Sequence, residues 1–342
     1  HYDAHHKLGA FYEITRYFEE SAAAYRAQID VNPTHWRAVI GLSRSAVELI
    51  RAGKPYPDLG PIETAVENDP PRFLPYLGEV QMALGEFEAA DATYARYLTM
   101  LPQDSLALYK DLSFVAEPAE LDTLNNLQGD GLERFAKRFW WRRHPLPTRE
   151  VNPRYLEHLR RVFYARDHYS EGKQPWDRRG EVYIRFGHPE HRSWSDHLVF
   201  ETDQAVLRVK NRLNDAIQGM GIDHNAQSAW GFDVINTSDV GAHDGTEREV
   251  RGLPAFPVNF GKWESWIYPY VGNGIEIAFT DEVGTYDFDF APAPNSRWRN
   301  FSPRRTIERV QSKTPSVYRH DYGGDPLDMH MVTADFRSLD RR

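Results

Sequence analysis

The chain has 342 residues, a length typical of about two globular domains. Its composition, 41% hydrophobic and 13% aromatic, supplies a sizeable core and excludes disorder as the overall state. The formal net charge of −9 argues against a nucleic-acid partner, and the lack of cysteine excludes disulfides, thiolate metal sites and thiol catalysis.

Two further features bound the class of protein. No apolar run approaches the length of about 18 residues that a membrane-spanning helix needs, so we predict no membrane span. The sequence begins with His1 rather than Met, and we therefore expect a processed or trimmed chain. A cysteine-free composition is also compatible with export from a bacterial cell.

A repeat of helical pairs occupies the first hundred residues. Residues 77–102 read LGEVQMALGEFEAADATYARYLTMLP, with a Leu-Gly pair before the turn and small and aromatic residues after it. This pattern resembles the tetratricopeptide repeat (TPR), in which small residues let two helices approach and an aromatic residue fills the space opposite them. An earlier copy has Ser21 where Ala90 stands in the later one. The matching positions are Leu8-Gly9, Tyr12, Phe18, Tyr25 and Pro33 in the first copy, and Leu77-Gly78, Tyr94 and Pro102 in the other.

A middle unit departs from this pattern. It begins at Trp36, and its second helix contains Ile62. Between them, residues 51–61 (RAGKPYPDLGP) are predicted to form a loop, because proline cannot lie inside a helix. We assign residues 1–103 to TPR repeats and 104–128 to a capping helical pair, which together meet the minimum of about three units for a stable array.

The first helix of each repeat is expected to line a concave surface. Basic and apolar side chains on such a surface suit an extended or helical peptide, although the same residues could simply be solvated. The predicted partner-binding residues are His6, Phe11, Arg37, Arg44, Arg72, Glu79 and Met82.

The first helix also carries more apolar side chains than one inner face needs. They are Leu8, Phe11, Tyr12, Ile14, Tyr17 and Phe18. The surplus predicts an exposed patch that is covered by a second copy of the chain, a foreign partner or an upstream segment, with a plain monomer as the remaining alternative. A copy that binds through a different surface makes a heterologous contact, which produces rings or filaments. We hypothesise such a head-to-tail contact, in which the N-terminal repeat docks on the β domain of a neighbouring copy.

Two helices are predicted after the repeats. Residues 131–147 (GLERFAKRFWWRRHPLP) mix basic and aromatic residues, a composition found in nucleic-acid-binding segments. The helical spacing of Leu132, Phe135 and Phe139 favours an amphipathic helix instead. A second helix is predicted from Pro153, with an apolar stripe of Tyr155, Leu156, Leu159, Val162 and Phe163.

Residues 174–192 (QPWDRRGEVYIRFGHPEHR) predict a strand over 181–186, because polar and apolar residues alternate there. We expect Trp176 and Arg179 to be buried against this strand and the helices of 132–168, and Asp177 to pair with the arginine. An anion-binding site is the alternative for the same charged residues. The predicted structural residues are Trp176, Asp177, Arg179, Gly180, Tyr183, Gly187 and Pro189.

The order of these segments resembles the GWxTD domain, a family of exported bacterial proteins. The matching segments are FWWRRHPLPT, PRYLEHLRRVFYARDHYS, PWDRRGEVYIRFGHPE, WESWIYPY (263–270) and GIEIAFTDEVGTYDFDF (274–290). The last two resemble a strand of the family and the hairpin that follows it, so we expect a strand at 263–270 and a hairpin at 274–290. The family's Gly-Trp-x-Thr-Asp motif is replaced here by Pro175-Trp176-Asp177-Arg178. The resemblance implies an α+β domain over 129–292, with an insert at 193–258 that contains a helix near 203–218. It also implies export to the periplasm, the cell surface or the exterior.

The remaining residues are predicted to be a linker and the start of a further β segment, 293–342. Within it, alternation at Leu327, Met329 and Met331 predicts that residues 327–337 pair with a neighbouring strand.

No complete catalytic motif occurs, so we predict no catalytic residue, metal or cofactor. Several weaker patterns point to other chemistry. They are a zinc-like cluster of His188, Glu190, His191, Asp196 and His197; a copper-binding terminus of His1, His5 and His6; a carboxylate pair, Asp287 and Asp289; and glycosylation sequons at Asn236 and Asn300.

The sequence therefore predicts an α+β protein, in which a helical TPR solenoid precedes a small GWxTD-like domain of helices and antiparallel strands. We expect a non-catalytic, exported interaction or assembly scaffold that binds a partner protein or itself. The alternative is a cell-envelope hydrolase with its site at the junction of the TPR and β domains.

Overall fold

The structure, a computed structural model, describes residues 3–194, 203–209, 262–272, 274–281 and 284–290. It is mostly helical with one small antiparallel sheet, so the predicted α+β class is confirmed. The helices are α1 (Ala4–Ile14), α2 (Phe18–Val31), α3 (Trp36–Arg51), α4 (Gly60–Asn68), α5 (Pro70–Leu84), α6 (Phe87–Thr99), α7 (Gln103–Lys110), α8 (Pro118–Asn125), α9 (Asp130–Arg142), α10 (Pro153–His168) and α11 (Arg178–Phe186). The strands are β1 (His191–Trp194), β2 (Lys262–Tyr268), β3 (Ile275–Asp281) and β4 (Asp289–Phe290).

The chain divides into two compact units. The first consists of His1–Leu112 and Leu127–Phe163, and the second of Ser113–Asn126 and Tyr164–Arg342. Helices α1 to α7, α9 and most of α10 therefore belong to the first unit, whereas α8, α11 and the sheet belong to the second.

Glycines in the first unit let aromatic rings pack directly on helix backbone. A Cβ atom added at Gly9 would lie 2.8 Å from the ring of Tyr25, and one at Gly41 would lie 2.2 Å from the same ring. Gly78 in α5 faces Tyr94 of α6 in the same way, at 2.8 Å. Real Cβ atoms do not approach other atoms this closely, so only glycine permits these contacts. The predicted packing role of these small residues is confirmed.

Helices α9 and α10 begin and end close to their predicted bounds. Leu156, Leu159 and Val162 of α10 are each almost fully buried, as their spacing predicts. Phe139 is the buried residue of α9, and its ring meets that of Trp140 edge-on at 4.9 Å. Both helices therefore contribute apolar faces to the core of the first unit.

The strand predicted over 181–186 is wrong, because these residues form helix α11. The side chain of Asp177 accepts a hydrogen bond from the backbone N–H of Arg179 at 2.9 Å and caps the first turn. The helix ends at Gly187, whose φ of 80° is a conformation that favours glycine. Every residue from Val182 to Phe186 is buried, so alternation of polarity does not mark a wet and a dry face here.

The sheet has the order β1-β2-β3-β4, and every neighbouring pair is antiparallel. The strand predicted at 263–270 is confirmed as β2. The predicted hairpin at 274–290 is confirmed in part, because β4 consists of two residues. Residues 284–286 form a loop instead, and each of their backbone N–H groups donates to the carboxylate of Asp281.

Two predictions fall partly or wholly outside the described residues. Of the helix predicted near 203–218, residues 204–209 are described and are helical. The strand predicted at 327–337 lies outside the described residues. Among the described helices, none is both long and apolar enough to cross a membrane.

Candidate interaction surface

The seven predicted partner-binding residues all lie on α1, α3 and α5, which follow one another in the packing of the first unit. Helix α1 carries His6 and Phe11, α3 carries Arg37 and Arg44, and α5 carries Arg72, Glu79 and Met82. Arg37 and Arg72 form an exposed group and Glu79 a buried one, whereas the other four residues belong to neither.

The exposed group surrounds Trp36 at the start of α3. The guanidinium carbon of Arg37 lies 4.6 Å from the centre of the Trp36 ring, and that of Arg72 lies 5.1 Å from it. The rings of His6 and His35 are 4.9 Å apart beside it. These contacts place two predicted binding residues, Arg37 and Arg72, against a tryptophan that sequence reasoning did not select. Its position as the first residue of a helix, between basic residues, was the available signal.

Electrostatics at this end of the unit favour neutral histidine. Partial burial lowers the pKa of His6, and the neighbouring charges of His35, Arg37 and Lys7 lower it further. The carboxylate of Asp3 acts in the opposite direction and lies 3.0 Å from His35 Nε2. Arg72 also pairs with Asp69 at 3.1 Å, so the surface around Trp36 carries charges of both signs.

Glu79 belongs to the buried group and is paired within the chain. Its Oε1 atom accepts a hydrogen bond from Arg160 Nη1 of α10 at 3.2 Å. Arg160 and Arg161 also donate to Glu157, at 2.7 and 2.6 Å. Burial raises the pKa of Glu157, but the two guanidiniums outweigh it and hold the pKa well below its usual range. Glu79 thus joins α5 to α10 and does not present a carboxylate to a partner.

Arg44 and Met82 are partly exposed, and neither lies in the exposed group. Arg44 Nη1 lies 3.9 Å from Glu13 Oε1, and Glu13 in turn accepts a hydrogen bond from the Tyr25 hydroxyl at 2.6 Å. Arg44 therefore takes part in the contacts between α1, α2 and α3.

An exposed apolar patch follows α1. We define it by Leu8, Phe11, Ile14 and Tyr17, of which Phe11 exposes 59% of its surface. The ring of Tyr12 links two of them, with centres 5.8 Å from Phe11 and 6.5 Å from Tyr17. Helical spacing of three residues places the first three on one side of α1. This patch is the largest group of neighbouring exposed apolar side chains on the described part of α1 to α3.

The second unit contains a buried charge network around the start of α11. The Arg179 guanidinium donates to Asp177 Oδ2 and Glu264 Oε1, both at 2.6 Å. Arg192 donates to both oxygens of Glu264, at 2.9 and 3.0 Å, and Trp266 Nε1 donates to it at 2.8 Å. The two carboxylates match the two guanidiniums, so these arginines stabilise the fold and do not form the alternative anion site.

The charge of Glu264 is maintained by its partners. Burial raises the pKa of this carboxyl, but the guanidiniums of Arg192 and Arg179 together hold it below its usual value. Sequence reasoning selected Asp177 and Arg179 and missed Glu264 and Arg192. The signal for Glu264 was a glutamate between two tryptophans in a buried strand, where an ionised group needs a partner.

The other predicted structural residues also pack in the second unit. Trp176 is 3% exposed, and its ring meets Phe114 edge-on at 5.6 Å. A Cβ atom on Gly180 would lie 2.5 Å from Trp176, so this glycine lets the indole pack on α11. The ring of Tyr183 stacks on Tyr164 at 4.2 Å. The burial predicted for Trp176 and Arg179 is confirmed, although the element beside them is a helix.

Gly187 and Pro189, which follow α11, complete this packing. The Gly187 carbonyl accepts a hydrogen bond from the Tyr268 hydroxyl at 2.8 Å, and Pro189 is buried. They connect the end of the helix to strand β2.

One face of the sheet holds a polar group that the sequence did not indicate. His191 Nε2 lies 2.9 Å from Ser193 Oγ, and Ser265 donates to Glu276 at 2.5 Å. Cross-strand register places these residues on the face of Ile267, which packs with Val206 and Val209. All four polar residues are at most 3% exposed, which indicates a packing role.

The zinc-like cluster is not assembled by the described residues. Within the described ranges, no three His, Cys, Asp or Glu side chains are placed to hold a metal ion. Asp196 and His197 lie outside those ranges, as do His1, Asn236 and Asn300. Asp287 and Asp289 are both exposed, beside the buried Phe288 and Phe290.

Comparison with known proteins adds no relative. No protein-family model, curated protein or solved structure matches this chain. The TPR and GWxTD resemblances therefore stay predictions from the sequence.

Proposed function

We propose that this protein is a non-catalytic scaffold of the TPR–GWxTD type, exported from the cell, that binds protein and associates with itself. The observation that carries the proposal is the apolar patch on α1. Phe11, Ile14 and Tyr17 each leave more than half of their surface in water, which folding alone does not require.

The packing of α1 supports a binding role for the patch. Its inner side is fixed by Gly9 against Tyr25 and by the Ser21 hydroxyl, which donates to the Gly9 carbonyl at 2.9 Å. The helix is therefore held in place while its outer side chains remain exposed. A rigid exposed aromatic side chain gains affinity because little conformational freedom is lost on binding.

The exposed ring of Trp36 supports a second contact on the same unit. Tryptophan and arginine are enriched among the residues that dominate protein interfaces. Arg37 and Arg72 flank the Trp36 ring and leave it 41% exposed, so an acidic or aromatic side chain can reach it.

Light scattering over a series of protein concentrations tests the proposal. We expect the average mass of the wild-type chain to rise with concentration and Phe11→Glu to abolish the rise, because a carboxylate in the contact would be buried without a partner. The matched control is Val31→Glu, since Val31 is 66% exposed at the end of α2 and outside the patch. A wild-type mass that stays at one chain throughout, or equal effects of the two substitutions, would refute the proposal.

A further inference from the structure

The outward side of α9 carries four cations and one tryptophan in a row. Arg134, Lys137, Arg138, Trp141 and Arg142 follow each other at the spacing of three and four residues that shares one helix face. All five are exposed, and Trp141 exposes 71% of its surface. We call these five residues the basic stripe.

The cations of the basic stripe are not neutralised by their own unit. In the part of the chain that the structure describes, Arg134, Lys137, Arg138 and Arg142 form no ion pair with a carboxylate. The nearby arginines of α10 behave differently, because Arg160 is paired with Glu79 and Glu157. A run of unpaired positive charge is notable in a chain whose net charge is −9.

The opposite side of α9 packs within the first unit. Phe139 is 2% exposed, and the Arg143 guanidinium covers its ring at 3.7 Å. Phe135 lies 6.3 Å from the Phe139 ring on the same side. Only the charged side of the helix is therefore available to a ligand.

We infer that the basic stripe binds an acidic peptide segment of a partner protein, with an apolar residue of that segment against Trp141. The inference rests on the proposed interaction function and assigns it a second surface and a partner chemistry. Arginine forms paired hydrogen bonds with carboxylates, and exposed tryptophan supplies a large contact area. Successive turns of α9 place a cation about every 5 Å, so one acidic peptide that lies along the helix can contact several of them.

Two other polyanions fit the stripe less well. Helices that lie on membranes insert a broad apolar face into the lipid, whereas the basic stripe carries one large apolar side chain, Trp141, among four cations. Nucleic acid requires neutralisation of many phosphates, and here four cations belong to a chain with a net charge of −9.

Fluorescence anisotropy with the full chain tests the inference. The probe is a fluorescein-labelled peptide with the repeat Glu-Glu-Leu, and its counterpart has Gln in place of Glu. We expect Lys137→Glu combined with Arg138→Glu to weaken binding of the acidic peptide about tenfold or more, because two attractive charges become repulsive. Trp141→Ala should weaken it several-fold, and the Gln peptide should not bind.

The matched control is Arg96→Glu combined with Lys110→Glu, which reverses two exposed cations on α6 and α7 of the same unit. Equal weakening by the two double variants, or no binding of the acidic peptide, would overturn the inference. Tighter binding of phosphatidylserine vesicles or of single-stranded DNA than of the peptide would overturn it as well. Circular dichroism checks folding, and light scattering separates the two proposals, since the stripe variant should still self-associate.

Discussion

His158 shows how burial sets the charge of one residue. This histidine of α10 is 3% exposed, and its Nε2 atom lies 3.2 Å from the backbone carbonyl oxygen of Tyr109. Because a carbonyl can only accept, Nε2–H is the donor and the other ring nitrogen is unprotonated. That Nδ1 atom has no hydrogen-bond partner in the described chain. Burial lowers the pKa of His158 from 6.5 to about 4, and Arg161 and Arg154 contribute in the same direction.

We predict that this histidine makes the fold acid-sensitive. The unfolded chain takes up the proton near pH 6.5 and the folded chain only near pH 4, so the stabilising effect is complete above pH 6.5 and is lost as the pH falls to 4. Between pH 7 and 4, the wild-type chain should lose about 3 kcal/mol more unfolding free energy than His158→Gln. Urea denaturation at the two pH values measures this difference. Equal losses, or an ordinary histidine pKa measured by NMR, would show that His158 is not the cause.

Patterns in the sequence predicted which residues pack together better than they predicted charge states and ion pairs. Glycines with aromatic partners were recognisable, because a small residue and a large one recur at fixed spacing around a turn. The neutrality of His158 and the pairing of Glu79 with Arg160 were not, because each depends on a residue far away in the sequence. Arg160 is 81 positions from Glu79, and no local spacing connects them.

At the scale of elements, α11 is held by charges as well as by packing. Asp177 caps its first turn and also binds the guanidinium of Arg179, which reaches Glu264 in β2. The same guanidinium lies 3.7 Å from the ring centre of Phe288. One side chain thus fixes the start of the helix, the sheet and the segment before β4.

We predict that Arg179→Met destabilises the protein by about 3–5 kcal/mol, because it leaves two buried carboxylates with one guanidinium fewer. Methionine keeps most of the apolar stem, so the loss reports the charge. The neighbouring Arg178→Met is the control, since this partly exposed side chain pairs with Glu181 and should contribute about 1 kcal/mol or less. Chemical denaturation measures both. Similar losses for the two variants would mean that the network is not what stabilises α11.

Element types could be predicted from helical periodicity for α9 and α10 and from the family resemblance for β2. The helix at residues 181–186 could not be predicted, because six residues that alternate in polarity fit the pattern of a strand. Burial on all sides of the helix removes the exposed face that would have given a helical pattern. Arg185 illustrates the difficulty: it is buried and donates to the carbonyls of Phe114 and Ala116. A buried arginine with backbone partners has the same sequence signature as an exposed one.

For the whole molecule, the proposed scaffold function depends on binding surfaces in the first unit, which a protein that acts as an isolated monomer would not need. They are the apolar patch of α1, the tryptophan at the start of α3 and the basic stripe of α9. The sequence predicted the first of these from an excess of apolar residues. It did not predict the stripe, because exposure of α9 residues depends on which face of the helix the rest of the unit covers.

Photo-crosslinking from position 11 tests directly whether copies of the chain associate through α1. Benzoylphenylalanine replaces Phe11, and equal amounts of unlabelled and nitrogen-15-labelled chains are mixed, so that mass spectrometry distinguishes contacts between copies from contacts within one. We expect mixed-isotope crosslinks from position 11 to the second unit of another copy, because a head-to-tail contact brings these two surfaces together. The same probe at Val31 should give few. Crosslinks confined to single chains, or equal yields from the two positions, would contradict self-association through α1.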